Sequence, residues 1–420
     1  MATDPTSTLV IVDTNSFGSM PLQGTPSLPK PYSTEQRPNL VSRINFTERI
    51  DTENLPPIFI SDPEDYNHLQ DLREEAGRYP IPQYEAARSA TNPYEKLGNS
   101  IFFSRAAVKL ANIDALYKLT EHIGAYMNYT TPLQFKFADL AGGPGAFTQY
   151  IQWRRDEAMG YGMTLKGDKP GVPDWNITYL DPHRFLIYYG DDGSGNLYTQ
   201  WRSLVDRIMR EQPLGLDLVT GDAAFDIEAE RAFRKQEFLV SRLILVQLLT
   251  ALKILRIGGN LVIKVFDTVT ELTAQILWIA SLCFEKITLL KPISSRPANS
   301  EKYLICQGKR KNTEKYELIL EQANGSYNQD EVVISLIDHP LPNDFTQWLT
   351  SVNDISTERQ TQALTTVMDY LKGGNPDVPV INIDKALVVW NIPSAIITRK
   401  SLLKIKGSGR GVPFSTAKDY

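Results

Sequence analysis

Four polar residues stand where chemistry, more than solubility, would put them. Lys264 lies inside the apolar run Leu261-Val262-Ile263-Lys264-Val265-Phe266. Burying an ammonium costs several kcal/mol unless it is paired, so this lysine either snorkels to an edge on its apolar stem or belongs to an ionic cluster. Asp222 follows the apolar run 216–220, Glu301 precedes the run 303–306, and Lys109 is carried by an early helix. Two lysines and two acids near strand ends could orient a hydroxyl and manage its proton. Taken singly, Asp222 serves equally as a helix N-cap and Glu301 as a surface residue. A fifth feature is Asp139-Leu140-Ala141-Gly142-Gly143-Pro144-Gly145, at a strand-to-helix turn. Glycines there admit a ligand to the backbone and permit positive φ, and the helix behind them offers free N–H groups. The dinucleotide pattern G-x-G-x-x-G fits this loop poorly because of its proline.

The elements that must hold these residues alternate. Strands are expected at 135–139, 161–165, 216–220, 260–266, 286–290 and 303–306. Helices are expected from an N-cap at Ser104, from 146 to about 158, from about 231 to 256 with Gly258-Gly259 as its stop, and over 271–283. The charged stretch 65–97 reads as helical in part. This rhythm predicts an α/β fold with a mostly parallel sheet covered on both faces, and such sheets bind ligands at the carboxyl ends of their strands. Arg105, Lys109 and Asn112 share one face of the early helix, where a polar stripe is ordinarily solvated.

Composition bounds the alternatives. The 420 residues carry 44 Lys+Arg against 49 Asp+Glu, a formal charge of -5, which excludes an indiscriminate nucleic-acid coat and leaves only local basic patches. Two cysteines, Cys283 and Cys306, are too few for a disulfide framework, and four histidines make a structural metal unexpected. The most apolar stretch, 238–257, contains Arg242, Lys253 and Arg256, so it reads as a buried helix and not as a membrane span of about 20 uncharged residues. Nine prolines between Pro5 and Pro63 mark residues 1–64 as an extended arm. The core is expected over 65–310, a packed α+β extension over 311–400, and a flexible basic tail over 401–420.

Longer segments carry a family resemblance. They are Asn92-Pro93-Tyr94-Glu95, Phe103-Ser104-Arg105-Ala106-Ala107-Val108-Lys109-Leu110-Ala111-Asn112-Ile113-Asp114, Tyr161-Gly162-Met163-Thr164-Leu165-Lys166-Gly167, and Lys291-Pro292-Ile293-Ser294-Ser295-Arg296-Pro297-Ala298-Asn299-Ser300-Glu301. With the glycine loop they resemble the FtsJ-like ribose 2'-O-methyltransferases, most closely the branch acting on the first transcribed nucleotide of capped mRNA. The likeness runs over roughly residues 90–400, with a weaker echo at Leu387-Val388-Val389-Trp390-Asn391-Ile392-Pro393. It implies a Rossmann-like S-adenosylmethionine-dependent methyltransferase fold and conversion of cap 0 to cap 1.

The resemblance also implies roles. Lys109, Asp222, Lys264 and Glu301 would form the catalytic tetrad. Gly142, Gly143, Pro144, Gly145 and Phe147 would line the methionine end of S-adenosyl-L-methionine, with Asp222 beside them. Ser104 stands where the family often has asparagine, and Asn196 where an aspartate usually accepts from the adenine amino group. Arg296, Asn299 and Lys302 would face the RNA 5' end, with Arg154, Arg155, Lys166, Lys169 and the run Lys309-Arg310-Lys311 as further basic candidates. Phe102, Phe103 and Phe225 are options for stacking a cap base. The implied partners are capped mRNA and other capping or transcription machinery, with no membrane. The implied place is the nucleus for a cellular enzyme, or a cytoplasmic factory or virion for a viral one. Competing readings are a ribosomal or transfer RNA 2'-O-methyltransferase, a catalytically silent RNA-binding subunit, and a nucleotide-dependent dehydrogenase, which the glycine pattern disfavours.

Overall fold

The computed structural model describes residues 20–21, 45–48, 61–121, 134–167, 172–223, 236–327, 331–379 and 383–393. Most of the expected arm, the whole tail, Lys169 and Phe225 therefore lie outside the described residues. The first half of the chain forms β1 (Met20–Pro21), β2 (Asn45–Glu48), α1 (Pro63–Gly77), α2 (Ile81–Ala90), α3 (Arg105–Tyr117), β3 (Lys136–Leu140), α4 (Ala146–Arg154), β4 (Met159–Met163), β5 (Phe185–Ile187), α5 (Leu197–Glu211) and β6 (Leu216–Gly221). The second half forms α6 (Gln236–Ile254), β7 (Leu255–Val265), α7 (Glu271–Cys283), β8 (Phe284–Lys291), β9 (Lys302–Lys309), α8 (Glu314–Ser326), β10 (Glu331–Ser335), α9 (Asn343–Leu371) and α10 (Ile383–Val389).

Eight of these strands make one sheet in the order β1-β8-β9-β7-β6-β3-β4-β5. The pairs β3/β4, β3/β6, β4/β5 and β6/β7 are parallel, while β9 runs antiparallel to both β7 and β8. The winding reverses between β3 and β6, so the ligand-binding crevice falls outside the carboxyl ends of those two strands.

Side chains alternate between the two faces of each strand, and this divides the core. Leu261, Ile263 and Val265 of β7 join Leu304 and Cys306 of β9 in the cluster packed by α5, α6 and α7. Val262, Tyr303 and Ile305 join the opposite cluster, packed by α3, α4 and α10. Cys283 and Cys306 are both buried. A third cluster joins α1, α2 and α9 through Leu69, Ala76, Ala87, Leu364, Val367 and Met368, and it includes Ala298 from the loop before β9.

Several boundaries differ from expectation. Gly258 and Gly259 do not end a helix, because α6 stops at Ile254 and both glycines lie within β7. Gly258 has φ +78 and a Cβ on Gly259 would meet the Leu216 carbonyl at 2.9 Å, so the pair serves a bend beside the register shift against β6. Helix α4 ends at Arg154, where Arg155 turns extended at φ -131 and ψ 100. The stretch 65–97 contains two helices, α1 and α2, and α1 starts with Asp62 accepting from the N–H groups of Glu64 and Asp65. Residues beyond 310 pack back on the core. Helix α8 meets α6 through Lys253 and Glu317, 3.0 Å apart, and β10 pairs with β2. Among the described residues no helix is long and apolar enough to cross a membrane.

Candidate active site

The four tetrad candidates converge at the carboxyl end of β6 and β7. Lys264 and Tyr303 are cross-strand partners between β7 and β9, and by alternation both point to the α3/α4 side. Lys264 Nζ lies 2.9 Å from Asp222 Oδ1 and 3.8 Å from Glu301 Oε2, and it donates to the Asp222 carbonyl at 2.8 Å. Lys109, on the face of α3 that meets the loop 292–301, donates to Glu301 Oε2 at 2.7 Å. Glu301 thus receives both lysines, and the order in space is Lys109, Glu301, Lys264, Asp222.

Two further residues hold this row and went unnoticed in the sequence. The Tyr303 hydroxyl donates to Asp222 Oδ1 at 2.7 Å, and Ser295 Oγ donates to Glu301 Oε1 at 2.7 Å. Tyr303 is legible in retrospect, since it shares the parity of Glu301 at the start of β9. The face of α3 expected to be solvated instead grips the site. Asn112 is 5% exposed and accepts from the Ile293 N–H at 3.1 Å, while Arg105 pairs with Glu95 at 2.9 Å.

Burial opposes charge on Lys264, but Asp222 and Glu301 outweigh it and hold the lysine above its ordinary pKa. Burial likewise opposes ionisation of Glu301, and Lys109 and Lys264 overcome it, taking the carboxyl down to about 2. The resting site is therefore an ammonium held between carboxylates.

The glycine loop lies beside this row. Gly145, at φ +99, precedes α4 and supplies no side-chain cap; the Asp139 carboxylate takes the Thr148 N–H, and the N–H groups of Ala146 and Phe147 before it suit a ligand. A Cβ on Gly142 would stand 2.3 Å from the Asp139 carboxyl carbon, and one on Gly143 2.4 Å from the Pro173 carbonyl. These clashes explain why glycine occupies both positions. Asp139 is buried and accepts from Thr148 at 2.8 Å and Thr220 at 3.0 Å. Burial raises its pKa to about 7. Pro144 accepts at its carbonyl from the Asn176 N–H. Phe147 is 1% exposed and packs on Tyr303 with ring centroids 6.0 Å apart, so it supports the row from behind. Ser104 caps α3 by accepting from the Ala106 N–H. Asn196 caps α5, its Oδ1 accepting from the Tyr198 N–H at 3.0 Å. Its neighbour Gly195 lies against the Thr164 carbonyl at the end of β4, next to Leu165, an apolar side chain 48% exposed.

The expected RNA-facing residues divide. Arg296 is half-buried and paired with Glu95 at 3.1 Å, beside Arg105. Asn299 gives its carbonyl and Oδ1 to Lys291. Lys302 does not face the crevice. It is 3% exposed, and its alternation with Glu301 and Tyr303 sends it to the opposite face. There burial lowers its pKa against the opposing fields of Asp267 and Glu237. Arg154 is also buried, donating to Tyr150 and the Trp390 carbonyl. Lys309 and Arg310 bond to the Leu255 and Phe284 carbonyls. They sit at the far end of antiparallel β9, away from the tetrad. Phe102 is 4% exposed in the core, whereas Phe103 stacks on Tyr179 at 4.9 Å.

A parallel sheet with an inserted antiparallel strand, a glycine loop at the switch point and a Lys-Asp-Lys-Glu row beside it define a Rossmann-like methyltransferase fold. Residues 102–309 match the family model described as FtsJ-like methyltransferase, and the chain thus carries an FtsJ-like methyltransferase domain. Cap-specific mRNA (nucleoside-2'-O-)-methyltransferase 1 of Danio rerio is 32% identical over 346 residues, covering 73% of this chain and 39% of that protein. The Drosophila melanogaster protein of the same name is 38% identical over 239 residues, covering 54% and 29%. The Homo sapiens one is 31% identical over 333 residues, covering 73% and 39%. The chain spans less than half the length of these relatives.

Proposed function

We propose that this protein uses S-adenosyl-L-methionine to methylate the ribose 2'-hydroxyl of the first transcribed nucleotide of capped mRNA, turning cap 0 into cap 1. The observation that carries the reading is the row Lys109–Glu301–Lys264–Asp222, whose contacts run from 2.7 to 3.8 Å, beside a glycine loop that opens a helix. The similarity to the cap-specific relatives over 73% of the chain supports the choice of substrate.

The donor set suits the cofactor. The N–H groups of Ala146 and Phe147 at the start of α4 fit a carboxylate, the exposed Leu165 offers an apolar surface to an adenine ring, and Asn196 stands at the same turn. S-adenosyl-L-methionine supplies an electrophilic methyl group. Lys264, held as an ammonium, donates to the 2'-oxygen and so aims its free lone pair, a positioning effect. Asp222 and Glu301 fix the lysine, and Lys109 neutralises Glu301. As the new O–C bond forms and the S–C bond breaks, leaving a neutral thioether, the hydroxyl proton becomes strongly acidic and would pass to water, so a strong base is not required. RNA enters past Arg296 and Arg105, a small basic patch that suits recognition of an RNA end and predicts a shallow salt dependence. The working place is the nucleus, alongside other capping machinery.

The test is methyl transfer from labelled cofactor to short RNAs, capped or uncapped, with the first ribose bearing a 2'-hydroxyl or a 2'-O-methyl group. Transfer only to capped RNA with a free first 2'-hydroxyl is expected. Equal transfer to uncapped RNA would leave a ribosomal or transfer RNA type of enzyme, and no transfer to any RNA would leave a silent binding subunit.

A further inference from the structure

Lys291 closes β8 and turns into the loop 292–301. Among the described residues, the hydrogen bonds of its ammonium all go to that loop: 2.6 Å to the Asn299 carbonyl, 2.7 Å to Asn299 Oδ1 and 3.1 Å to the Glu301 carbonyl. None of these acceptors is a carboxylate oxygen. Burial takes its pKa down to about 7, against the opposing field of Glu301 and with the help of Lys302, Lys109 and Arg73. Burying an amine in this way is costly, and one bond to Asn299 would suffice to tie a turn. The bond to the Glu301 carbonyl reaches the residue that receives Lys109 and Lys264. On its other side the loop is held by Gln360 of α9, which donates to the Ala298 carbonyl at 3.0 Å.

We propose that Lys291 is a positioning residue for methyl transfer. It fixes the backbone from Asn299 to Glu301 so that the Glu301 carboxylate is presented between Lys109 and Lys264. The assignment rests on the reading of Glu301 as a member of the tetrad. In this role Lys291 acts through the placement of Glu301 and not on the reacting atoms. A displaced carboxylate of this kind costs up to about 100-fold in rate.

The experiment is a double-mutant cycle of Lys291→Met and Glu301→Gln, read as kcat, KM for cofactor and for capped RNA, and thermal midpoint. K291M should lose about 10- to 100-fold in kcat with either KM changed less than about twofold. In the E301Q background the same change should cost less than about twofold. K291Q keeps an N–H donor and should lose less than K291M; it replaces K291M in the cycle if that variant does not fold. Losses that multiply in the double mutant, a raised KM at unchanged kcat, or full activity of K291M beside an impaired E301Q would each overturn the proposal. Full activity of E301Q alone would instead overturn the tetrad reading.

Discussion

Lys109 and Glu301 meet at 2.7 Å although 192 positions separate them in the chain. The contact joins the helix just before β3 to the loop just before the antiparallel strand β9. Glu301 then reaches Lys264 at 3.8 Å, so one carboxylate serves lysines from two separate elements. Because such a carboxylate is shared, the four residues should behave as a unit, with losses that do not add.

Lys264→Met removes the ammonium at the centre of the row while keeping the stem. Methyl transfer should fall by at least about 100-fold. Binding of S-adenosylhomocysteine, followed by calorimetry, should stay within about threefold, because the glycine loop does not depend on this side chain. Normal turnover in this variant would remove Lys264 from the chemistry.

Tyr303→Phe deletes the hydroxyl that donates to Asp222 and leaves the ring in place. The loss of one hydrogen bond to a charged acceptor is about 1.5–3 kcal/mol. If the whole loss falls on the transition state, turnover should therefore drop about 10- to 150-fold while the far-ultraviolet circular dichroism of the variant matches the parent. An unchanged rate would show that Lys264 alone holds Asp222.

Gly142→Ala drives a Cβ to within 2.3–2.5 Å of the Asp139 carboxyl group. The loop must shift, so cofactor affinity should weaken by more than about tenfold, a loss above about 1.4 kcal/mol. Gly325→Ala, which meets nothing within 4 Å in α8, should leave binding intact and stabilise by up to about 1 kcal/mol. Equal affinity in the two variants would contradict the crowding at Gly142.

Asp139 sets a pH dependence of unusual sign. Its folded pKa, about 7, lies above the ordinary 3.8, so the folded state binds the proton more tightly than the unfolded state. Its contribution is full below the ordinary value and is lost as pH rises from about 4 to 7, by a few kcal/mol at most. Thermal midpoints of the protein and of Asp139→Asn, measured across that window without cofactor, should diverge as pH rises, the variant gaining relative to the parent. Parallel curves would place the proton elsewhere.

Much of this architecture was readable locally. Helix α7 was expected over 271–283, where it lies, and the strands at 216–220 and 286–290 fall within β6 and β8. Apolar periodicity and capping are near-neighbour effects, so one chain reports them. The strand β5, of 3 residues, and the 15-residue helix α5 escaped, because three residues give no period and Gly193 and Gly195 masked the start of the helix.

The residues of the row, their types and the glycine loop were set by the sequence, since a lysine in an apolar strand must either snorkel to an edge or find polar partners. Which way neighbouring side chains face was not. Arg296, Asn299 and Lys302 lie within seven positions, yet one pairs with Glu95 beside the crevice, one is taken up by Lys291, and one is buried against Asp267 and Glu237. Asn112, which looked solvated on its helix, is sealed by a loop from 181 residues away. These outcomes depend on strand register and on which distant element covers each face. Those are properties of the assembled sheet, and no local pattern contains them.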